Sequence, residues 1–476
     1  MRREKWKENF SEWFNEAIER AEIIETRYPV KGLYVWLPYG LKLRNNIFSI
    51  LRKLMEDSGH KEVLFPLLIP EDLFRKEAEH IRGFEGQVYW VTRGGHNELD
   101  VKLALRPTSE TSMYPMFSLW IRSHADLPLK VYQIVNIFRY ETKMTKPLIR
   151  LREVTTFKEA HTAHATAEEA ERQVKEAVQI YKRFFEELGV PFVITKRPPW
   201  DTFAGAVFSI AFDTLSPDGK TLQIGTVHNL GQNFAKVYGI TYETLDGNHN
   251  YVYQTCYGIS ERAMAATIMV HGDDCGLCLP PNVAPVQVVI VPIYYKSNVR
   301  QVMDAAKSVY SELVKEGLRV HIDQRDLRPG NKFYYWERRG VPLRIEIGPE
   351  DIARSQLTLV PRHTGKRTTI PIKGAGERIK SVLSEMVKEM QDEAKKAFQE
   401  SIHEVASLED ARKIIENRGG IVRMSWCGKE ECGRKIEEAT TCSLLGEEID
   451  GKERPSSPCV VCSTHSTKQV LIAKTY

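Results

Sequence analysis

At 476 residues, 42% of them hydrophobic, the chain can bury cores for about three domains of ~150 residues. No apolar run approaches the ~20 residues of a membrane span, and the amino-terminal MRREKWKENF lacks the apolar stretch of a signal peptide. The formal charge of +4 is unevenly spread, because Ala284 to Lys373 carries 16 Lys+Arg against 9 Asp+Glu. That excess suits either nucleic acid or a merely soluble basic surface. Eight cysteines in such a chain favour metal or free thiols over disulfides.

Trp6, Phe10, Trp13, Phe14, Ala17 and Ile18 recur at helical spacing and predict an amphipathic packing helix over residues 6–26. GLYVWLP, residues 32–38, reads as a short strand, and Tyr39 to Asp57 as a long helix closed near Gly59. A strand follows in SGHKEVLFPLLIP; its Pro66 belongs at an edge or a break, where the strand meets something other than its own sheet. In LRPTSETSMYP an extended reading places Thr108 and Glu110 on one side, able to receive an ammonium. A helix start capped by Thr108 or Ser109 is the competing reading.

Val131 to His164 reads as a hairpin. Arg139 and Glu141 fall on one face, a basic segment holds Lys143, Lys146, Arg150 and Arg152 around Pro147, and a β-branched run returns through Val154 to Phe157. An arginine at a strand end can fork onto a phosphate, and a glutamate two residues on can accept from an adenine amino group. A solvated hairpin with a surface ion pair is the alternative.

Thr166 to Leu188 predicts a charged helix, and residues 202–240 predict alternating strands that carry Gln223, Thr226 and His228. By residue type alone His228 is a satisfied core histidine. Ser260 and Glu261 open an apolar helix from Ala263 to Val270, which sets Arg262 in the first turn against the helix dipole. A bound phosphate explains that placement; an exposed arginine at slight cost is the alternative. Cys275 and Cys278 read as packing residues. From Ala284 onward strand, helix and strand alternate up to a helix from Glu377 to about Glu400, an α/β unit with a mixed sheet. Cys427-x4-Cys432 and Cys459-x2-Cys462 fit a tetrahedral structural zinc, with Cys442 spare.

Two nucleotide signatures mislead. Asp218-Gly219-Lys220-Thr221 ends like a P-loop but has Thr214 at the first glycine, and Lys143-Met144-Thr145-Lys146 lacks the upstream His-x-Gly-His of class I synthetases. In order, residues 58–68, the hairpin, and Gly258 to Arg262 resemble the three motifs of class II aminoacyl-tRNA synthetases. RPTSET, LQIGTVHNLGQN, FKEAHTAHAT, WERRGVPLRIEIGP and the terminal cysteine segment together resemble the prolyl-tRNA synthetases of archaeal and eukaryotic type, over nearly the whole chain.

That resemblance implies an α+β protein: a class II antiparallel sheet flanked by helices in 1–283, an α/β anticodon-binding domain in 284–400, and a small zinc-bearing α/β domain in 401–476. It assigns ATP to Arg139, Glu141, Arg150 or Arg152, Gln223, Thr226, Ser260 and Arg262, with Arg139, Glu141 and Arg262 carrying catalysis. Proline falls to Thr108, Glu110, Arg139, Phe157, Glu159 and His228. Glu337 and Arg344 match positions that read anticodon guanines, a strand-edge ion pair being their alternative, and Cys427, Cys432, Cys459 and Cys462 hold Zn²⁺. The implied activity is ligation of proline to tRNA(Pro) with ATP and Mg²⁺, by a cytoplasmic homodimer without membrane association.

Phe157 and Tyr257 stand where the family often has Trp, and the interval between the second and third motifs is too short for an editing domain. Cysteine and alanine are therefore expected as misactivated substrates, since a pocket rejects smaller apolar analogues by only about 1–3 kcal/mol. Glu77 to Tyr89 is expected to act as a lid, and the Tyr476 carboxylate to fold back towards the catalytic domain. A catalytically silent tRNA-binding paralogue is the alternative, favoured by loss of Arg139, Glu141 or Arg262, all of which are present.

Overall fold

A computed structural model describes residues 3–76, 85–449 and 456–476. Most of the expected lid, residues 77–84, lies outside them. The first long helix, α1 (Phe10–Arg20), buries Phe10, Trp13, Phe14, Ala17 and Ile18, the face its spacing predicts. It stops short of residue 26 because the chain turns through positive φ at Glu22 into a two-residue strand, Ile24–Glu25, paired with Val35–Trp36. After α2 (Pro38–Asp57), residues 58–70 do not form one strand. They divide around Pro66 into β1 (Lys61–Glu62) of the main sheet and Leu68–Pro70 of a separate three-stranded sheet. A proline without an amide proton is suited to that break.

The catalytic unit continues with α3 (Glu110–Trp120), β2 (Leu129–Phe138), β3 (Glu153–His164), α4 (Ala167–Glu187), β4 (Val193–Lys196), β5 (Phe208–Leu215), β6 (Thr221–Gly231), β7 (Tyr253–Ile259) and α5 (Arg262–His271). Its strands lie in the order β4-β5-β6-β7-β3-β2-β1, antiparallel except for β1 beside β2. Thr166 and Glu169 close a reciprocal capping box at the start of α4, which satisfies two amide donors. Residues 202–240 are not all strand: β6 ends at Gly231 and a short helix, Asn233–Tyr238, buries Phe234, Ala235 and Tyr238 before Gly239 ends it at positive φ. Helices α2, α4 and α5 share one large core with the sheet. On the other sheet face α3 and the helix Asn233–Tyr238 pack a second core beside a cleft.

The second unit comprises β8 (Val288–Pro292), α6 (Val299–Lys315), β9 (Val320–Ile322), α7 (Pro329–Arg338), β10 (Leu343–Ile347), β11 (Gln356–Pro361), β12 (Thr368–Pro371) and α8 (Ala375–Glu400). The sheet order is β9-β8-β10-β11-β12, parallel over the first three strands and antiparallel beyond. All five residues of β8 are buried, as a central parallel strand requires.

The third unit is β13 (Ile402–Glu404), α9 (Leu408–Asn417), β14 (Ile421–Ser425), α10 (Glu430–Thr440), β15 (Ser443–Glu448) and β16 (Gln469–Ala473). Its strands join the catalytic sheet rather than standing apart: Glu447 and Glu448 of β15 pair with Lys196 and Thr195 of β4, giving eleven strands in all. Gly446 permits this join, since a Cβ there would lie 2.1 Å from the Lys196 carbonyl oxygen. Among the described residues no helix is long and apolar enough to cross a membrane.

Burial holds His60 down at about 3 and His164, His228 and His271 at about 4, against an ordinary 6.5. Each is neutral when folded but protonates on unfolding below pH 6.5, so each destabilises the fold as pH drops towards 4. Glu261, raised to about 7 by burial from 4.5, works in the opposite direction across that window. These five groups together should take up about three protons on unfolding at pH 5.5, measurable as the slope of urea-derived stability against pH. A flat profile between pH 6.5 and pH 5 would show that the histidines are not buried as described.

Candidate active site

The cleft floor follows from strand alternation and register. Phe157, Glu159 and His161 share one face of β3, and cross-strand pairing sets Glu159, Gly258 and Thr226 in one row and His161, Cys256, His228 and Ser209 in the next. Gly258 makes room for Phe157: a Cβ there would meet the ring's Cζ at 3.0 Å. Except for Arg152, every expected ATP and proline residue lines a single cavity of about 440 Å³.

One end of that cavity is cationic. Arg139 stands just beyond β2, donating from Nε to the Pro107 carbonyl at 3.0 Å, with its guanidinium 5.9 Å from the Phe157 ring. Arg262, the first residue of α5, donates from Nε to Ile149 O at 2.9 Å and from Nη1 to Gln223 O at 3.3 Å, while Ser260 Oγ accepts its amide at 3.3 Å. Burial, and then the nearness of Arg139 and Arg150, lower Arg262 to about 10. It remains a cation at neutral pH. Arg152 instead stacks 4.1 Å from the Tyr140 ring and donates twice to the Glu141 carbonyl, at 3.2 and 3.1 Å. Of the two candidates, Arg150 therefore faces the cavity and Arg152 braces the loop.

The opposite end is acidic. Thr108 Oγ1 donates to Glu110 Oε2 at 2.5 Å, and α3 begins at Glu110, so the segment is a helix start and not an extended one. Ser109 occupies the N-cap position but makes no side-chain cap bond, because its hydroxyl donates to Glu159. Glu159 also accepts from Gln133 Nε2 at 2.9 Å and from the Ser109 amide at 3.2 Å, which anchors the start of α3 beside the cavity. His228 is both a satisfied core histidine and a wall: Nδ1 lies 2.7 Å from Ser209 Oγ, and its ring stacks on Phe203 at 4.7 Å.

Residue patterns overlooked His161, Cys256, Trp200 and Phe203, which line the same cavity. His161 continues the two-residue period of Phe157 and Glu159 and was legible. Cys256 and Phe203 arrive through register and loop path, which leave no local trace. Cys278 is buried as expected, whereas Cys275 is exposed on the turn that follows α5.

Among the described residues two clusters bring three or more ligand-type atoms within 4.8 Å of one another. Cys427, Cys432, Cys459 and Cys462 offer four sulfurs, a donor set that fits a closed tetrahedral ion. Glu110, His161 and Cys256 fit a metal poorly, since burial pushes the Cys256 thiol well up and it hydrogen-bonds to Glu110. In the second unit Arg344 Nη1 donates to Glu337 Oε1 at 2.7 Å, Nε donates to Glu346 at 3.0 Å, and Phe333 lies beneath the guanidinium at 4.2 Å.

At the chain's end the Tyr476 hydroxyl donates to Asp218 at 2.7 Å and its amide to Thr221 O at 3.1 Å, so the turn that mimics a P-loop is a dock for this residue. Lys146 Nζ lies 4.5 Å from the Tyr476 ring and 4.7 Å from that of Phe10.

An antiparallel sheet whose cleft sets converging arginines opposite a carboxylate is the core of a class II aminoacyl-tRNA synthetase, and residues 89–271 match the family "tRNA synthetase class II core domain (G, H, P, S and T)". Residues 287–382 match an anticodon binding domain, and 408–476 match "Prolyl-tRNA synthetase, C-terminal". The chain is 54% identical to the proline–tRNA ligase of Methanothermobacter thermautotrophicus, over 95% of this chain and 93% of the relative. To that of Pyrococcus abyssi it is 52% identical over 100% of both. Giardia lamblia prolyl-tRNA synthetase, solved with prolyl-adenylate, superposes with a TM-score of 0.96 at 38% identity, covering 99% of each chain. The chain belongs to the proline–tRNA ligase family.

Proposed function

We infer that this chain activates proline with ATP to prolyl-adenylate and transfers it to tRNA(Pro) in the cytoplasm. The observation that carries this reading is the bipolar cavity, with Arg150 and Arg262 towards one end, Thr108 with Glu110 towards the other, and Arg139 near both Arg262 and Glu110. Proline's secondary ammonium has two N–H donors, which Thr108 and Glu110 accept, and Phe157 covers the apolar ring. Its carboxylate attacks the α-phosphorus and pyrophosphate leaves, so positioning and charge neutralisation are what the site must supply. Arg139 lies between the two ends and bridges carboxylate and α-phosphate; Arg262 takes the γ-phosphate. Glu141 and Gln223 face the adenine.

Mg²⁺ bound with ATP adds positive charge at the phosphates, and Glu261, whose buried Oε2 has no hydrogen-bond partner, fits as its protein ligand. The four cysteines hold a structural Zn²⁺, and Glu337 with Arg344 reads anticodon guanines once their mutual pair opens. Exposed Leu64, Leu67 and Leu68, beside Phe65 packed on Trp120, form the apolar face taken by a second copy.

Proline should lead ATP–pyrophosphate exchange, with cysteine and alanine slower, and Arg139→Ala should lower it at least about 100-fold. No exchange with any of the three, tRNA included, would leave the silent paralogue. Elemental analysis should find one zinc per chain, lost in Cys459→Ser together with several degrees of melting temperature; zinc-free native protein would refute the site. Sedimentation should give twice the 54.7 kDa chain mass, falling to one chain in Leu64→Asp/Leu68→Asp. A monomeric native protein at micromolar concentration would remove the dimer.

A further inference from the structure

The turn after α5 is fastened to the second unit more tightly than a covalent linker requires. Arg362, at the end of β11, forks onto Asp273 with Nη1 to Oδ2 at 2.7 Å and Nη2 to Oδ1 at 2.6 Å, and the two side chains are only 6% and 4% exposed. Backbone bonds run alongside, from Leu277 N to Arg338 O and from Leu279 N to Gly340 O, both 3.1 Å. Gly276 and Gly340 allow this approach: at positive φ, a Cβ on either would lie under 3.0 Å from the opposite backbone. Asp273 is also fixed from the other side, since Trp13 Nε1 donates to its carbonyl at 2.7 Å.

The same arginine reaches the anticodon pair. Arg362 Nε donates to the Glu337 carbonyl at 2.9 Å, and the Glu337 carboxylate holds Arg344. Glu337 and Arg344 satisfy each other in the free protein, so contact with bases requires them to separate and displaces the end of α7. A buried, bidentate pair does not stretch gradually, because an unpaired charge in the seam is strongly disfavoured. The seam therefore moves as a body or breaks. On its catalytic side stands α5, ten residues and ~15 Å long, buried along most of its length, with Arg262 at its far end.

We propose that the Asp273–Arg362 pair couples engagement of tRNA at Glu337 and Arg344 to the placement of Arg262 over the phosphates, a positioning role for two residues outside the cavity. The inference rests on the proposed roles of Arg344 and Arg262. It differs from a general stabilising role, because it concerns only activation with tRNA bound.

The test compares native protein with Asp273→Asn, Arg344→Ala and the double variant, in exchange without tRNA and in aminoacylation of tRNA(Pro). Asp273→Asn should leave tRNA-free exchange within about twofold and the KM for tRNA unchanged, yet lower the aminoacylation kcat about tenfold. Arg344→Ala should then add no further kcat loss in the double variant. Arg362→Gln, paired with Asp273→Asn as a neutral hydrogen-bonding couple, should restore part of the kcat if folding alone is intact. Losses that multiply, or equal losses in exchange and aminoacylation, overturn the coupling. Full activity of Arg344→Ala alone shows instead that the anticodon reading failed, and the coupling falls with it.

Discussion

Crowding of like charge is the constraint on which the rest depends. Loss of water lowers the basicity of Arg139 and Arg262, and Arg262 is lowered further by the nearness of Arg139 and Arg150. Such an arrangement stores unfavourable energy that a polyanion releases. Carbonyl oxygens orient these guanidinium groups, Pro107 for Arg139 and Ile149 with Gln223 for Arg262, and the Glu110, Glu159 and Glu141 carboxylates also favour the Arg139 charge. Where neutralisation is wanted the protein uses carboxylates: buried Arg197 is matched by Asp213 with both oxygens, at 3.0 and 2.9 Å.

Holding those carbonyls still requires support from distant parts of the chain. Ile149 belongs to the returning arm of the hairpin loop, and Lys146 at its turn is enclosed by Phe10, Phe14 and Tyr476. Burial lowers Lys146 to about 8, Asp218 opposes that shift, and the ring faces surround the cation. The third unit thereby contributes to the site twice, through β15 joined to β4 and through the terminal residue against the loop. A sheet continuous across both units transmits this support without a hinge.

Much of this was legible where chemistry and local period coincide. Arg139, Glu141, Arg262, Thr108 and Glu110 stand out because their residue types sit at strand ends and helix starts, and the cysteine spacing led to sulfurs that do converge. Pro66 correctly marked a break. The helix Asn233–Tyr238 and α7 were missed because both are short and rich in aromatic residues, whose two-residue and helical periods look alike over so few positions. The choice between Arg150 and Arg152 depended on which side of a loop each faces, and the join of β15 to β4 on contacts some 250 residues apart. Neither leaves a local signature.

The pocket's acidic end explains both the strength and the limit of its selectivity. Glu110 is oriented by Thr108, and the helix start that carries it is anchored by Ser109 on Glu159, so the carboxylate is held in place. Against this rigid polar end the apolar lining includes Phe157, backed by Gly258, with Trp200 and Phe203. Polar preorganisation discriminates by whether an ammonium is present, which cysteine and alanine satisfy as proline does. Only ring contact separates them, and removing a methylene or two from an apolar contact changes binding by about 1–3 kcal/mol. Between β3 and β7 the chain forms α4, β4, β5, β6 and short elements that build the core and cleft wall.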